Sequence, residues 1–201
     1  MELSFLLKAA LFVFAYLLGS IPMGLIVVRL TGGVDPRGAG SGNIGATNVG
    51  RTSGRKAGII TLIADALKGA IPAGVAVYLG VGPPVIAVAG LLAVLGHMFS
   101  VYLGLKGGKG VATACGVFIV ISPAALGLSL LVFAVVLLLR NYVSLASMAA
   151  ALSMPVFLFI TDAPQAFQLL GLIAAILIVF KHSGNIKKLI RGTEDGFRRR
   201  A

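Results

Sequence analysis

Three short polar segments hold almost all the groups with which this chain could do chemistry. Residues 41–51 read Ser-Gly-Asn-Ile-Gly-Ala-Thr-Asn-Val-Gly-Arg. Ser41, Asn43, Thr47 and Asn48 supply hydroxyls and carboxamides. Arg51 supplies a guanidinium fork that can grip a phosphate through two parallel hydrogen bonds. The interspersed glycines let the backbone approach a ligand closely, and successive N–H groups in such turns form concave anion sites. Gly40, Gly42 and Gly45 formally match G-x-G-x-x-G, but no βαβ pattern surrounds them, so a dinucleotide fold is excluded. A flexible basic loop would explain the arginines but not the paired Asn, the Thr and the glycine spacing.

The second segment is Gly107-Gly108-Lys109-Gly110, preceded by Lys106, at the mouth of a short apolar run. A helix N-terminus carries partial positive charge and unpaired N–H groups, to which Lys109 adds a point charge. It is not a Walker A loop, because Gly110 rather than Ser or Thr follows the lysine. The third runs Lys-His-Ser-Gly-Asn-Ile-Lys-Lys-Leu-Ile-Arg over residues 181–191. His182 suits donation to an oxyanion or orientation of a ligand. Its Ser183-Gly184-Asn185-Ile186 repeats Ser41-Gly42-Asn43-Ile44, which predicts similar polar turns at two helix ends.

Asp65 and Lys68 lie three apart inside an apolar segment, so they can pair on one helix face. Charges at such depth are costly. Near a helix end their reading is support for the glycine segments rather than direct chemistry. His97, mid-segment, reads as a packed structural histidine, and Cys115 as a small buried residue. The acids Asp35, Asp65, Glu194 and Asp195 contain no pair at metal-ligand spacing, which disfavours Mg²⁺-dependent phosphotransfer. No Ser-His-Asp set is evident, and neither His97 nor His182 is followed by Asp five positions later.

These segments must be positioned by membrane helices. The 201 residues are 58% hydrophobic and 11% charged, a balance no soluble domain can bury. The net charge of +11 would suit nucleic acid in a soluble protein, but cytoplasmic loops of membrane proteins collect Lys and Arg, and no separate basic domain stands apart. We therefore expect no nucleic-acid partner. The apolar stretches are residues 5–30, 57–79, 84–105, 111–121, 123–139, 143–160 and 166–180. The first reads poorly as a signal peptide and is expected to be a retained helix: Glu2 occupies the n-region, and basic residues follow the apolar run. Ser122-Pro123 divides the short fourth and fifth. If residues 111–139 crossed once, the later loops would invert and the basic tail would lie outside. With two crossings every Lys- and Arg-bearing loop shares one side. The opposite ends, Met1-Glu2, 80–83, Ser122-Pro123 and 161–164, carry no Lys or Arg. This predicts an all-α integral membrane protein of seven transmembrane helices, N-terminus outside and C-terminus cytoplasmic, with two short helices at about 111–121 and 123–139. It forms one domain over 1–201 with a basic tail from about 183.

The motifs S-G-N-x-G-A-T-N-V-x-R, G-G-K-G-V-A-T and K-H-x-x-N-I-x-x-L-x-x-G-x-E occur in that order across nearly the whole chain. In this the chain resembles the bacterial acyl-phosphate-dependent glycerol-3-phosphate acyltransferase (PlsY) family. Ser100 departs from the proline common before the second motif, which touches helix-end geometry and no chemical group. The resemblance implies transfer of an acyl chain from acyl phosphate to the 1-hydroxyl of glycerol 3-phosphate. The products would be lysophosphatidic acid and phosphate, in the first step of phospholipid synthesis. It implies His182, Asn185 and Lys109 as catalytic, and Ser41, Asn43, Thr47, Asn48, Arg51, Gly107, Gly108 and Gly110 as substrate-binding. Asp65 and Lys68 are expected to give structural support, with no metal and no cofactor. Ser41, Arg51, His182 and Lys109 would hold the glycerol-phosphate head group, residues 107–110 would cradle the acyl-phosphate phosphoryl, and Asn185, with His182 or backbone N–H groups, would polarise the acyl carbonyl. The proton would go to a substrate phosphate or to His182. The implied partners are both substrates, the lipid bilayer and the soluble enzyme that makes acyl phosphate, and the implied location is the bacterial inner membrane with the site on its cytoplasmic face. The rival reading is a transporter or channel for a phosphorylated solute. Against it, the polar motifs gather at one face rather than the midplane, and no inverted halves are evident.

Overall fold

The computed structural model describes residues 4–197, so Met1, Glu2 and Arg198 to Arg200 of the charge argument lie outside it. All regular structure among the described residues is helical: α1 Phe5–Ser20, α2 Met23–Thr31, α3 Ala46–Ser53, α4 Arg55–Tyr78 and α5 Pro83–Met98, then a 3-10 turn Val101–Leu103. There follow α6 Val111–Ile121, α7 Pro123–Arg140, α8 Val143–Ile160, α9 Gln165–Lys181 and α10 Ser183–Ile190. Starts and stops follow local chemistry. The Ser4 hydroxyl accepts from the Leu7 N–H at 3.4 Å to cap α1. Proline occupies the first turns of α5 and α7, where a missing N–H costs nothing. The break expected at Ser122-Pro123 separates α6 from α7.

The helices depart from the sequence expectation at three places. Residues 5–30 are not one helix: Pro22 interrupts them, and α1 and α2 meet at 44°. The expected likeness of the two Ser-Gly-Asn-Ile stretches fails, because residues 41–44 form a turn while 183–186 open helix α10. The basic segment from about 183 is therefore helical through Ile190 and meets α9 at 56°. Glycines at φ 59° (Gly40) and 73° (Gly42) hold the first copy out of a helix.

By length and composition four helices can cross a membrane, or six if each bent pair is one span. Helix α6 has 11 residues, or about 16 Å at 1.5 Å per residue. That is about half of a hydrocarbon core some 30 Å thick.

The chain divides into two compact units, Met1–Ile121 and Ser122–Ala201. In the first, α4 packs against α1, α2, α3, α5 and α6, and α1 packs along α5. Small residues permit this. A Cβ at Gly69 or Gly116 would strike the carbonyl of Thr113 or Ala66 across the α4–α6 contact, and one at Gly19 or Gly96 would strike the α1–α5 contact. In the second unit α7, α8 and α9 pack in sequence order, with α10 against α9. Large apolar side chains such as Phe5, Leu131, Leu138 and Phe159 point outward.

Gly69→Val should therefore destabilise the protein by about 1–3 kcal/mol through overpacking. Gly74→Val, where a Cβ meets nothing within 4 Å, should leave stability unchanged. Thermal unfolding in one detergent compares the two, and equal melting temperatures would refute the packing argument.

Candidate active site

The first motif is a turn that feeds a short helix, organised around one side chain. Asn48 is 2% exposed. Its Oδ1 accepts from the Ser41 N–H at 2.8 Å, and its Nδ2 donates to the carbonyls of Pro36 (2.9 Å), Ala39 (3.0 Å) and Asn43 (2.9 Å). Gly40 must lack a Cβ, which would fall on Asn48 Oδ1. Asn43 Oδ1 accepts from the Gly45 N–H at 2.8 Å and shapes the entry to α3. The Ser53 hydroxyl staples Val34 from both sides, donating to its carbonyl at 3.2 Å and accepting from its N–H at 3.1 Å. Thr47 and Arg51, four residues apart on α3, share one exposed face, and Ser41 is half-buried beside the turn. Asn48 thus leaves the expected set of substrate-contacting side chains: it is buried and its carboxamide is spent on the loop. Arg37 is engaged by Asp35 at 2.6 Å, and its guanidinium holds that exposed carboxyl below the ordinary range.

The second motif rests on the end of α5. The Gly107 N–H donates to the Met98 carbonyl at 3.2 Å and the Gly108 N–H to the His97 carbonyl at 3.0 Å. Gly110 takes φ 79°, and its carbonyl accepts from Ala114 at 2.8 Å to start α6. Lys109 therefore projects from a backbone pinned on both sides. Beneath lie the expected charged residues. Lys68 Nζ stands 3.0 Å from Asp65 Oδ1 and donates to the Ile21 carbonyl at 2.8 Å. Ser100 donates its hydroxyl to the Ser20 carbonyl at 2.5 Å. Both acceptors sit at the α1–α2 break, where irregular backbone packed inside the protein must find partners there.

In the second unit His182 is 2% exposed, and its Nδ1 lies 2.8 Å from the Ile178 carbonyl. A carbonyl only accepts, so Nδ1 carries the proton and a neutral ring has Nε2 as its acceptor. Asn185 Nδ2 donates to Glu194 Oε1 at 2.7 Å, and the Ser144 hydroxyl donates to the same oxygen at 2.6 Å. Glu194 thereby ties α8 to α10 and sets which way the Asn185 amide faces. The site expectations omitted Glu194, although it ends the third motif. Nothing in the sequence pointed to Ser144.

Removing the amide at Asn48 would take the partner from the Ser41 N–H and from the Pro36 and Asn43 carbonyls, while the Ala39 carbonyl would keep the Gly42 N–H. Asn48→Ala should cost stability of about 1–3 kcal/mol or more. Thr47→Ala, on the exposed face of α3, should not. Melting temperatures of the two variants decide this, and an unaltered Asn48→Ala would refute the organising role.

The sequence profile of the family described as glycerol-3-phosphate acyltransferase matches residues 9–192. A relative of that name from Geotalea daltonii is 50% identical over 192 residues, covering 96% of this chain and 98% of its own. One from Aquifex aeolicus is 46% identical over 188 residues, covering 93% and 97%. Two crystal structures of PlsY (YgiH), described as an integral membrane glycerol 3-phosphate acyltransferase, superpose on it at 44% identity. The glycerol 3-phosphate form gives a TM-score of 0.91, covering 95% of this chain and 96% of that one. The lysophosphatidic acid form gives 0.89, covering 95% of each. On the agreement of sequence, fold and motif over nearly its full length, this chain belongs to the glycerol-3-phosphate acyltransferase family.

Proposed function

We infer that this chain is an integral membrane enzyme that acylates the 1-hydroxyl of glycerol 3-phosphate from acyl phosphate, releasing lysophosphatidic acid and phosphate. The observation that carries this is similarity along almost the whole chain, with all three polar motifs intact, to a structure determined with glycerol 3-phosphate. In the reaction the 1-hydroxyl oxygen bonds to the acyl carbon and the bond from that carbon to the phosphate oxygen breaks. Its electron pair leaves with phosphate, and the hydroxyl proton passes to a phosphate oxygen or to His182 Nε2. Acyl phosphate is already activated, so positioning and stabilisation of developing negative charge suffice. Ser41, Thr47 and Arg51 hold the acceptor phosphate, with Lys109 and His182. Residues 107–110 cradle the donor phosphoryl. Asn185, aimed by Glu194, polarises the acyl carbonyl. Asn43 and Asn48 serve by shaping the turn that carries Ser41.

Purified protein supplied with glycerol 3-phosphate should form lysophosphatidic acid from palmitoyl phosphate and not from palmitoyl-CoA. Product from the thioester alone would overturn the donor assignment, and no product from either in detergent would favour a transporter. Arg51→Ala should raise KM for glycerol 3-phosphate, while Lys109→Ala and Asn185→Ala should lower kcat by roughly 10²-fold each. Turnover near wild type in all three would overturn the assignment of roles.

The proposal extends to topology: seven crossings, N-terminus outside, C-terminus and active site cytoplasmic, in the bacterial inner membrane beside the soluble source of acyl phosphate. Cys115 is the only cysteine, so a Cys115→Ala background allows single-cysteine mapping. A membrane-impermeant maleimide on intact spheroplasts should label Gly82→Cys and spare Gly192→Cys, and the reverse pattern would invert the proposed orientation.

A further inference from the structure

We propose that His97 is a positioning residue for the donor-phosphate loop, its imidazole serving as the seat on which Gly108 rests and Asp65 with Lys68 fixing that seat. The proposal rests on the reading of residues 107–110 as the donor loop. Its geometry lies within the first unit. A Cβ at Gly108 would fall on His97 Nε2, so the loop backbone lies directly against the ring with no side chain between. The other ring nitrogen, Nδ1, faces Asp65 Oδ1 at 3.5 Å. Asp65 Oδ1 stands 3.0 Å from Lys68 Nζ, which reaches the Ile21 carbonyl at 2.8 Å. Asp65, Lys68 and His97 are each 4% exposed or less.

Stability alone does not explain this line of groups. A buried ion pair is often no more stabilising than apolar residues of similar volume, and intramembrane charges are costly. What it supplies is fixed geometry: a rigid path from the α1–α2 break to the backbone next to Lys109. Small errors in placing a reactive group cost rate heavily, about 10²-fold for 1 Å. A ring clamped by a carboxylate on one side and bare glycine on the other prevents such errors without touching substrate.

Double-mutant cycles test it. Gly108 does not need positive φ, so Gly108→Ala introduces only the clash with the ring, and His97→Ala removes the ring. Each should raise KM for acyl phosphate, lowering kcat/KM for that substrate by about tenfold or more, and leave KM for glycerol 3-phosphate within about twofold. The double variant should be no more than about twofold worse than the worse single, because both act through one contact. Gly107→Ala is the control: its Cβ meets the His97 carbonyl oxygen, which His97→Ala leaves in place, so those losses should multiply. Multiplying losses in the Gly108 cycle would overturn the proposal. So would an equal fall in kcat for His97→Ala with both KM values unchanged, the mark of lost folded enzyme. Non-multiplying losses confined to KM for glycerol 3-phosphate would instead overturn the donor-loop reading. If His97→Ala does not fold, Asp65→Asn keeps the ring and should raise KM for acyl phosphate alone. An unchanged value there also overturns the proposal.

Discussion

The first unit depends on how a broken helix is satisfied inside a membrane. Pro22 interrupts the first apolar segment and leaves backbone carbonyls without helical partners where water is scarce. The answer is a lysine drawn fully into the bundle. Lys68 gives its ammonium to the Ile21 carbonyl and to Asp65, and Ser100 covers the Ser20 carbonyl. Once a cation is buried there a carboxylate must accompany it, since an unpaired charge in low dielectric costs several kcal/mol. The pair then becomes a fixed post that other elements can lean on, and His97 does so.

Close backbone approach is the second constraint, and it accounts for glycine without reference to ligands. At Gly69, Gly116, Gly19 and Gly96 a side chain would strike a neighbouring helix carbonyl. Lipid offers little hydrophobic drive for helices to associate, so packing contact must supply it. The glycines of the polar motifs answer a different need. Gly40 and Gly42 adopt positive φ, and Gly107 and Gly108 lie against other backbone or a ring.

Much of this was legible in the sequence because it rests on local rules. Apolar runs marked the helices, with Ser122-Pro123 dividing two of them, and the spacing of Asp65 and Lys68 announced their pairing. The failures share one cause. Ser-Gly-Asn-Ile is a turn at 41–44 and a helix at 183–186, because four residues do not choose their conformation when flanking φ values and distant partners differ. Asn48 looked like a ligand because a carboxamide among glycines could face outward or inward. Only the three carbonyls brought around it show that it faces inward.

The sequence by itself determined the membrane-helical class and the family. Hydropathy periods and motif order are properties of the chain read in one dimension. The tertiary structure decided which polar groups face a ligand and which hold the backbone in place. Glu194 reaches Asn185 across nine residues and Ser144 across fifty. His97 meets Asp65 thirty-two positions earlier, because α4 and α5 lie side by side. Such assignments turn on a few ångströms between segments remote in the chain, and those distances arise only when the helices pack.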